Sequence, residues 1–136
     1  MKKNKGQSLV EMVVAIGIVL VVIVALVVVT TISVRNASFS RNQVLATKYA
    51  QEAIEKVRAY RDQNTWSDFI SNCEDFSLDL NLPNLFTLSR DCYQPGTSNN
   101  CSSANDTTCE VKITVSWTDA KGTHKSELTT HLTKWK

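Results

Sequence analysis

The chain has 136 residues, room for one membrane helix and one small domain. Its 15 Lys and Arg against 13 Asp and Glu give a formal net charge of +2, so nothing in the charge balance calls for a nucleic-acid partner. The four cysteines have no C-x₂-C pair or His pair beside them, which excludes the spacing of a zinc site.

The chain opens on Lys2, Lys3 and Lys5, followed by Gly6. Glu11 then stands at the head of an unbroken run from Met12 to Val29, eighteen residues that are all apolar or Gly. That length reaches the roughly 18–20 residues of a membrane-spanning helix. A carboxylate at the centre of such a helix costs roughly 2.5–3.5 kcal/mol on insertion scales, and less near the interface. A plain anchor gains nothing from that cost, so Glu11 marks a functional role that needs a partner. The competing reading is a secretory signal peptide, with an apolar core of about 7–15 residues and a small-residue cleavage site after it. Here the core is longer, and Thr30-Thr31-Ile32-Ser33 is a poor site of that kind. The lysines act as a topology signal, which keeps the N-terminus cytoplasmic and puts the rest outside. Without Lys2, Lys3 and Lys5 the formal net charge goes from +2 to −1.

The residues Lys5-Gly6-Gln7-Ser8-Leu9-Val10-Glu11-Met12-Val13-Val14-Ala15 resemble the N-terminus of a type IV prepilin or a type II secretion pseudopilin. In that family a short basic leader ends in Gly, a dedicated membrane peptidase cuts after it, and the new N-terminus is methylated. The fifth mature residue is Glu. The resemblance implies a cleavage site at Gly6–Gln7 and N-methylation of Gln7, and it makes Glu11 the fifth mature residue. Gln7 stands where the family usually has Phe. The resemblance also implies that Glu11 serves assembly by pairing with the N-terminal amine of a neighbouring subunit. The partners it implies are other pilin subunits in a helical filament, the prepilin peptidase and an inner-membrane assembly platform.

The stretch from Thr30 to Arg61 has neither Gly nor Pro. Ala46, Ala50, Ala53 and Val57 recur at i, i+4, i+7 and i+11, widened by Leu45, Tyr49 and Ile54. Arg41, Lys48, Gln51, Glu52, Glu55 and Lys56 fill the other face, with Glu52 and Lys56 in the favourable i, i+4 order. The spacing predicts one helix from about Ser8 to Arg61, apolar all round first and amphipathic afterwards. That shape matches the family, whose long N-terminal helix packs its second half on a globular sheet. Many major pilins carry Pro in the apolar half, and this chain has none there.

Beyond Arg61, Asp62-Gln63-Asn64-Thr65 reads as a break, with Trp66 and Phe69 as anchors. Phe76, Leu78, Leu80 and Leu82 alternate with Ser77, Asp79 and Asn81, which predicts a half-buried strand. Pro83-Asn84 predicts a turn and Leu85 to Asp91 a returning strand. Tyr93 to Thr108 reads as a long polar loop. Val111, Ile113, Val115 and Trp117 alternate with Lys112, Thr114 and Ser116, Asp119 to Gly122 reads as a turn, and a partner strand runs from Ser126 to near Trp135. This C-terminal hairpin is similar to that of pilus-modification minor pilins and small pseudopilins, as is Tyr49-Ala50-Gln51-Glu52-Ala53-Ile54-Glu55 with Arg58 and Arg61.

Four cysteines allow three pairings, and an exported location makes disulfides plausible. A hairpin around Pro83-Asn84 would bring Cys73 to Cys92 and leave Cys101 and Cys109 to close a short loop. No nucleophile–base constellation, phosphate loop or dinucleotide fingerprint is present, so no catalytic residue and no cofactor is expected. Seven residues separate His124 and His131, which places them on opposite strand faces, and Glu74, Asp75 and Asp79 lack calcium-loop spacing. No metal is expected.

The sequence thus predicts an α+β chain in four parts. Residues 1–6 form a cleaved leader, 7–30 a transmembrane and filament-core half-helix, 31–62 an amphipathic half-helix and 63–136 a β-rich ectodomain. The expected function is that of a minor pilin or pseudopilin subunit, first a single-pass protein of the inner membrane and then part of a filament outside the cytoplasm. The alternative is a membrane-anchored binding, adhesion or DNA-uptake pilin with a ligand-binding tip at 93–108. The DNA-uptake or adhesin form would need a basic patch, at which Lys112, Lys121, Lys125, Lys134 and Lys136 only hint.

Overall fold

A computed structural model of the chain describes residues 5–97, 99–101 and 107–134, with side chains described from Leu9 onward. In chain order the elements are α1 (Lys5–Gln63), α2 (Trp66–Asn72), β1 (Phe86–Tyr93), β2 (Thr108–Asp119) and β3 (Gly122–Thr133). This is the α+β arrangement read from the sequence. The chain divides into two compact units, Met1–Ser40 and Arg41–Lys136.

In the first unit the helix is continuous through Thr30 and Thr31, although β-branched hydroxyl residues are indifferent helix formers. Their hydroxyls turn back on the helix. Thr30 Oγ1 donates to the carbonyls of Leu26 and Val27 at 3.0 and 2.9 Å, and Thr31 Oγ1 to that of Val27 at 2.8 Å.

The second unit holds the end of α1, α2 and the sheet. Ala46, Ala50, Ala53, Ile54 and Val57 are buried on one face of α1, as their spacing predicts. The sheet is antiparallel in the order β1-β2-β3. Its inner face carries cross-strand rows Phe86–Trp117–His124, Leu88–Val115–Ser126, Arg90–Ile113–Leu128 and Cys92–Val111–Thr130. The apolar side chains of these rows and the α1 stripe make one core with Trp66, Phe69 and Ile70 of α2. Two polar contacts tie α1 to β3. Thr47 and Ser126 share a 3.2 Å hydroxyl bond, and Arg58 Nη2 donates to Thr130 Oγ1 at 3.1 Å.

The break after Arg61 is real but short. Asn64 Nδ2 donates to the carbonyl of Tyr60 at 2.8 Å, and Thr65 caps α2 by accepting from the Asp68 N–H at 3.3 Å. Helix α2 is not foreseen by periodicity, because seven residues are too few for a period to show. The hairpin of β2 and β3 closes on Asp119–Gly122, with Gly122 at φ 129°. Trp135, where the last strand was expected to end, lies outside the described residues.

One expectation fails. Residues 76–82 form no strand, and β1 pairs with β2 instead of with them. Phe76, Leu78, Leu80 and Leu82 still alternate between half-buried and exposed neighbours and pack on the core. The alternation therefore reports an extended strap with one apolar side. It does not report a pairing partner. Asp79 sits at φ 41°, and the Leu82 N–H bonds back to the Leu80 carbonyl at 2.9 Å, so the backbone leaves the straight path a ladder needs.

Candidate functional site

Gly6 and Gln7 lie in the first turns of α1, and their side chains fall outside the described residues, as does all of Met1–Asn4. Glu11 is exposed and belongs to no ion pair among the described residues. From Leu9 to Val34 the large apolar side chains are each 50–70 % exposed. A water-facing surface does not carry an apolar band of that extent without a partner, whether lipid or protein. The helix is also long and apolar enough to cross a membrane.

The cysteines lie in the second unit. Cys73, just after α2, is joined to Cys92 of β1, with Cα atoms 6.3 Å apart. Cys101 is joined to Cys109 of β2 across 5.9 Å. The strap, not a hairpin, bridges Cys73 to Cys92. All four are buried, and the Cys101 N–H donates to the Cys92 carbonyl at 3.1 Å, so the two bridges are neighbours. In the chain-entropy view, closing loops of 19 and 8 residues contributes about 3 and about 2.5 kcal/mol. Ser102–Asp106, the middle of the expected loop, lie outside the described residues.

Polar chemistry in this unit is paired or scattered. His124 is on the inner face and lies 3.0 Å from Asp119, whereas His131 is on the outer face. The Lys121 backbone N–H and then His124 hold the Asp119 carboxyl below its ordinary range. Glu127 lies 2.7 Å from Lys125 and 3.2 Å from Lys112, and these lysines hold its carboxyl low. Glu74, Asp75 and Asp79 do not converge with other ligand types, and among the described residues no three His, Cys, Asp or Glu side chains do. A hollow of ≈ 400 Å³ at the end of α1 is lined by Arg61, Trp66 and Lys134 and holds no nucleophile–base pair.

Sequence reasoning missed Arg90. It occupies an inward position in the alternation Phe86, Leu88, Arg90, Cys92, and that signal was readable. Its Nη2 donates to the carbonyls of Glu74 and Phe76 at 2.6 and 2.8 Å. Its guanidinium lies 3.9 Å from the centre of the Phe76 ring, which stacks on Tyr60 at 3.9 Å from its other side. Arg90 thus pins the start of the strap to the sheet.

No curated protein and no solved structure matches the chain. The family whose model matches is described as the prokaryotic N-terminal methylation motif, over residues 1–32. That span covers the leader, Gly6, Gln7, Glu11 and the apolar run. Motif and helix together fit a membrane-anchored, prepilin-type protein with a structural role. A prepilin methylation motif on an exposed apolar helix, continued into an α+β domain with two disulfides, supports placing the chain in the type IV pilin and pseudopilin family.

Proposed function

We propose that the chain is a minor pilin or pseudopilin subunit, cut between Gly6 and Gln7 and methylated on Gln7. Residues 7–30 serve first as a membrane span and then as filament core. Residues 31–62 carry the ectodomain of residues 63–136 outside the cytoplasm. The observation that carries this reading is the methylation motif at residues 1–32, placed on a helix whose large apolar side chains from Leu9 to Val34 are exposed. Glu11 has a specific part in it. An exposed carboxylate beside an apolar run is costly in lipid, and a neighbour's N-terminal amine would neutralise it in a helical bundle. Cleavage after Gly6 creates that amine. The prepilin peptidase and the assembly platform of the inner membrane are the further partners. The engagement of both Lys112 and Lys125 by Glu127 favours a structural subunit over one that binds nucleic acid.

Two measurements test the reading. The intact mass of the mature protein is expected to lack residues 1–6, to carry one added methyl and to lack the thiol hydrogens of four cysteines. Glu11→Ala is expected to remain in the membrane and to enter filaments far less than wild type. Entry at the normal rate and stoichiometry would refute the role of Glu11.

A further inference from the structure

Thr30 and Thr31 do not end the apolar part of α1, because their hydroxyls are spent on the carbonyls of Leu26 and Val27. Ile32 and Val34 carry the stretch on past them with Ser33 between, and Arg35 follows, exposed. From Met12 to Val34 the helix rises about 35 Å at 1.5 Å per residue. The hydrocarbon core of a bilayer is about 30 Å thick, with polar layers of about 5–8 Å on each side. With Glu11 at one boundary of that core, Arg35 falls in the polar layer at the other.

Along α1 no carboxylate lies near Arg35. Between Glu11 and Glu52 the sequence has no Asp or Glu. The helical neighbours of Arg35 at i±3 and i±4 are Thr31, Ile32, Ser38 and Phe39. Arg35 belongs to no ion pair among the described residues. Asn36, Ser38 and Ser40 after it are short, polar and exposed. A guanidinium offers two parallel N–H donors that match two phosphate oxygens, and it gives up water more readily than an ammonium.

We propose that Arg35 binds the phosphate of an anionic phospholipid in the leaflet at the far end of the span from Glu11. The contact sets how deep the helix sits before assembly. It rests on the reading of α1 as a membrane span. One cation near an anionic surface favours anionic lipid by about fivefold.

The test uses the full chain in vesicles of phosphatidylcholine with a quarter of phosphatidylglycerol. Flotation measures insertion, and mass spectrometry of the lipids retained after mild detergent measures preference. Lys2, Lys3 and Lys5 attract phosphatidylglycerol equally in wild type and variants, so the difference isolates Arg35. Arg35→Gln is expected to float normally and to lower the preference about fivefold. Arg35→Lys is expected to recover part of it, and Lys48→Gln to leave it unchanged. A preference equal to wild type in Arg35→Gln overturns the proposal. So does unchanged preference with loss of cross-linked multimers, which would assign Arg35 to a carboxylate on another chain. A wild-type chain that fails to float overturns the span itself, and the proposal with it.

Discussion

Replacing Arg90 by Met keeps a long apolar stem on the inner face of β1 and removes the guanidinium. Two hydrogen bonds are lost, to the carbonyls of Glu74 and Phe76 at 2.6 and 2.8 Å. Bonds from a charged donor contribute about 1.5–3 kcal/mol each. The contact with Phe76, 3.9 Å from the ring centre, adds about 1 kcal/mol. Other effects oppose these. Nε and Nη1 are buried without a hydrogen-bond partner among the described residues, and each such donor costs about 1–3 kcal/mol. Burial also pulls the Arg90 pKa down, ahead of the opposing influence of Asp75 and Glu74. Gains near the middle of their range exceed the costs by about 1.5 kcal/mol. For a domain of this size that is a fall in Tm of about 10 °C. The assay is a near-UV circular dichroism melt of the full chain in detergent, with Trp66 and Trp117 as buried reporters. Arg90→Lys, which keeps the charge and loses the fork, should fall between the two. A Met variant that melts at or above wild type would refute the argument. It would mean that burying this charge is a net cost, as it is for some buried ion pairs.

Other predictions concern the core, the acidic range and the disulfides. Ile113→Ala, at a fully buried position in the middle of β2, should cost about 2–5 kcal/mol in the same melt; a loss below 1 kcal/mol would mean that the helix does not press on the sheet there. Asp119 and Glu127 titrate below their ordinary values of 3.8 and 4.5, so the unfolded chain takes up their protons first. The stability they contribute is present above those values and is lost as the pH falls through the folded ones. Tm should therefore drop between pH 7 and pH 3, and by less in Glu127→Gln. An equal drop in that variant would exclude the Lys125 and Lys112 bonds as a cause. Replacing Cys73 and Cys92 by Ser should destabilise by about 3 kcal/mol and speed proteolysis within residues 77–84. Replacing Cys101 and Cys109 should cost about 2.5 kcal/mol and leave that segment protected. Equal cleavage in both double variants would disconnect the first bridge from the strap.

Periodicity made α1 and the β2–β3 hairpin legible, because each buries one face over at least three turns or five alternations. The same rule misled at Phe76–Leu82, since alternation records burial and is silent on which strand lies alongside. Helix α2 was too short for a period, yet its cap was in view as Thr65 with Asp68 three residues on. Arg90 was overlooked because a charge in an inward position reads as noise until a carbonyl or a ring is found beside it. The N-terminal methylation motif was legible from local sequence. The chemistry proposed for it depends on the order of Gly6, Gln7 and Glu11 along one segment, and no distant residue of the same chain has to be brought to it.

The two contacts between α1 and β3 have a mechanical consequence. Thr47 meets Ser126 and Arg58 meets Thr130. Eleven helical residues rise about 16 Å and four strand residues about 13 Å, so helix and strand advance side by side in the same direction. Neither disulfide encloses α1, because both lie after it in the chain. A force pulling along the helix therefore meets no covalent crosslink between helix and sheet. With the sheet held, such a force would load the Ala46–Val57 seam in shear along its length, and not one contact after another as in peeling.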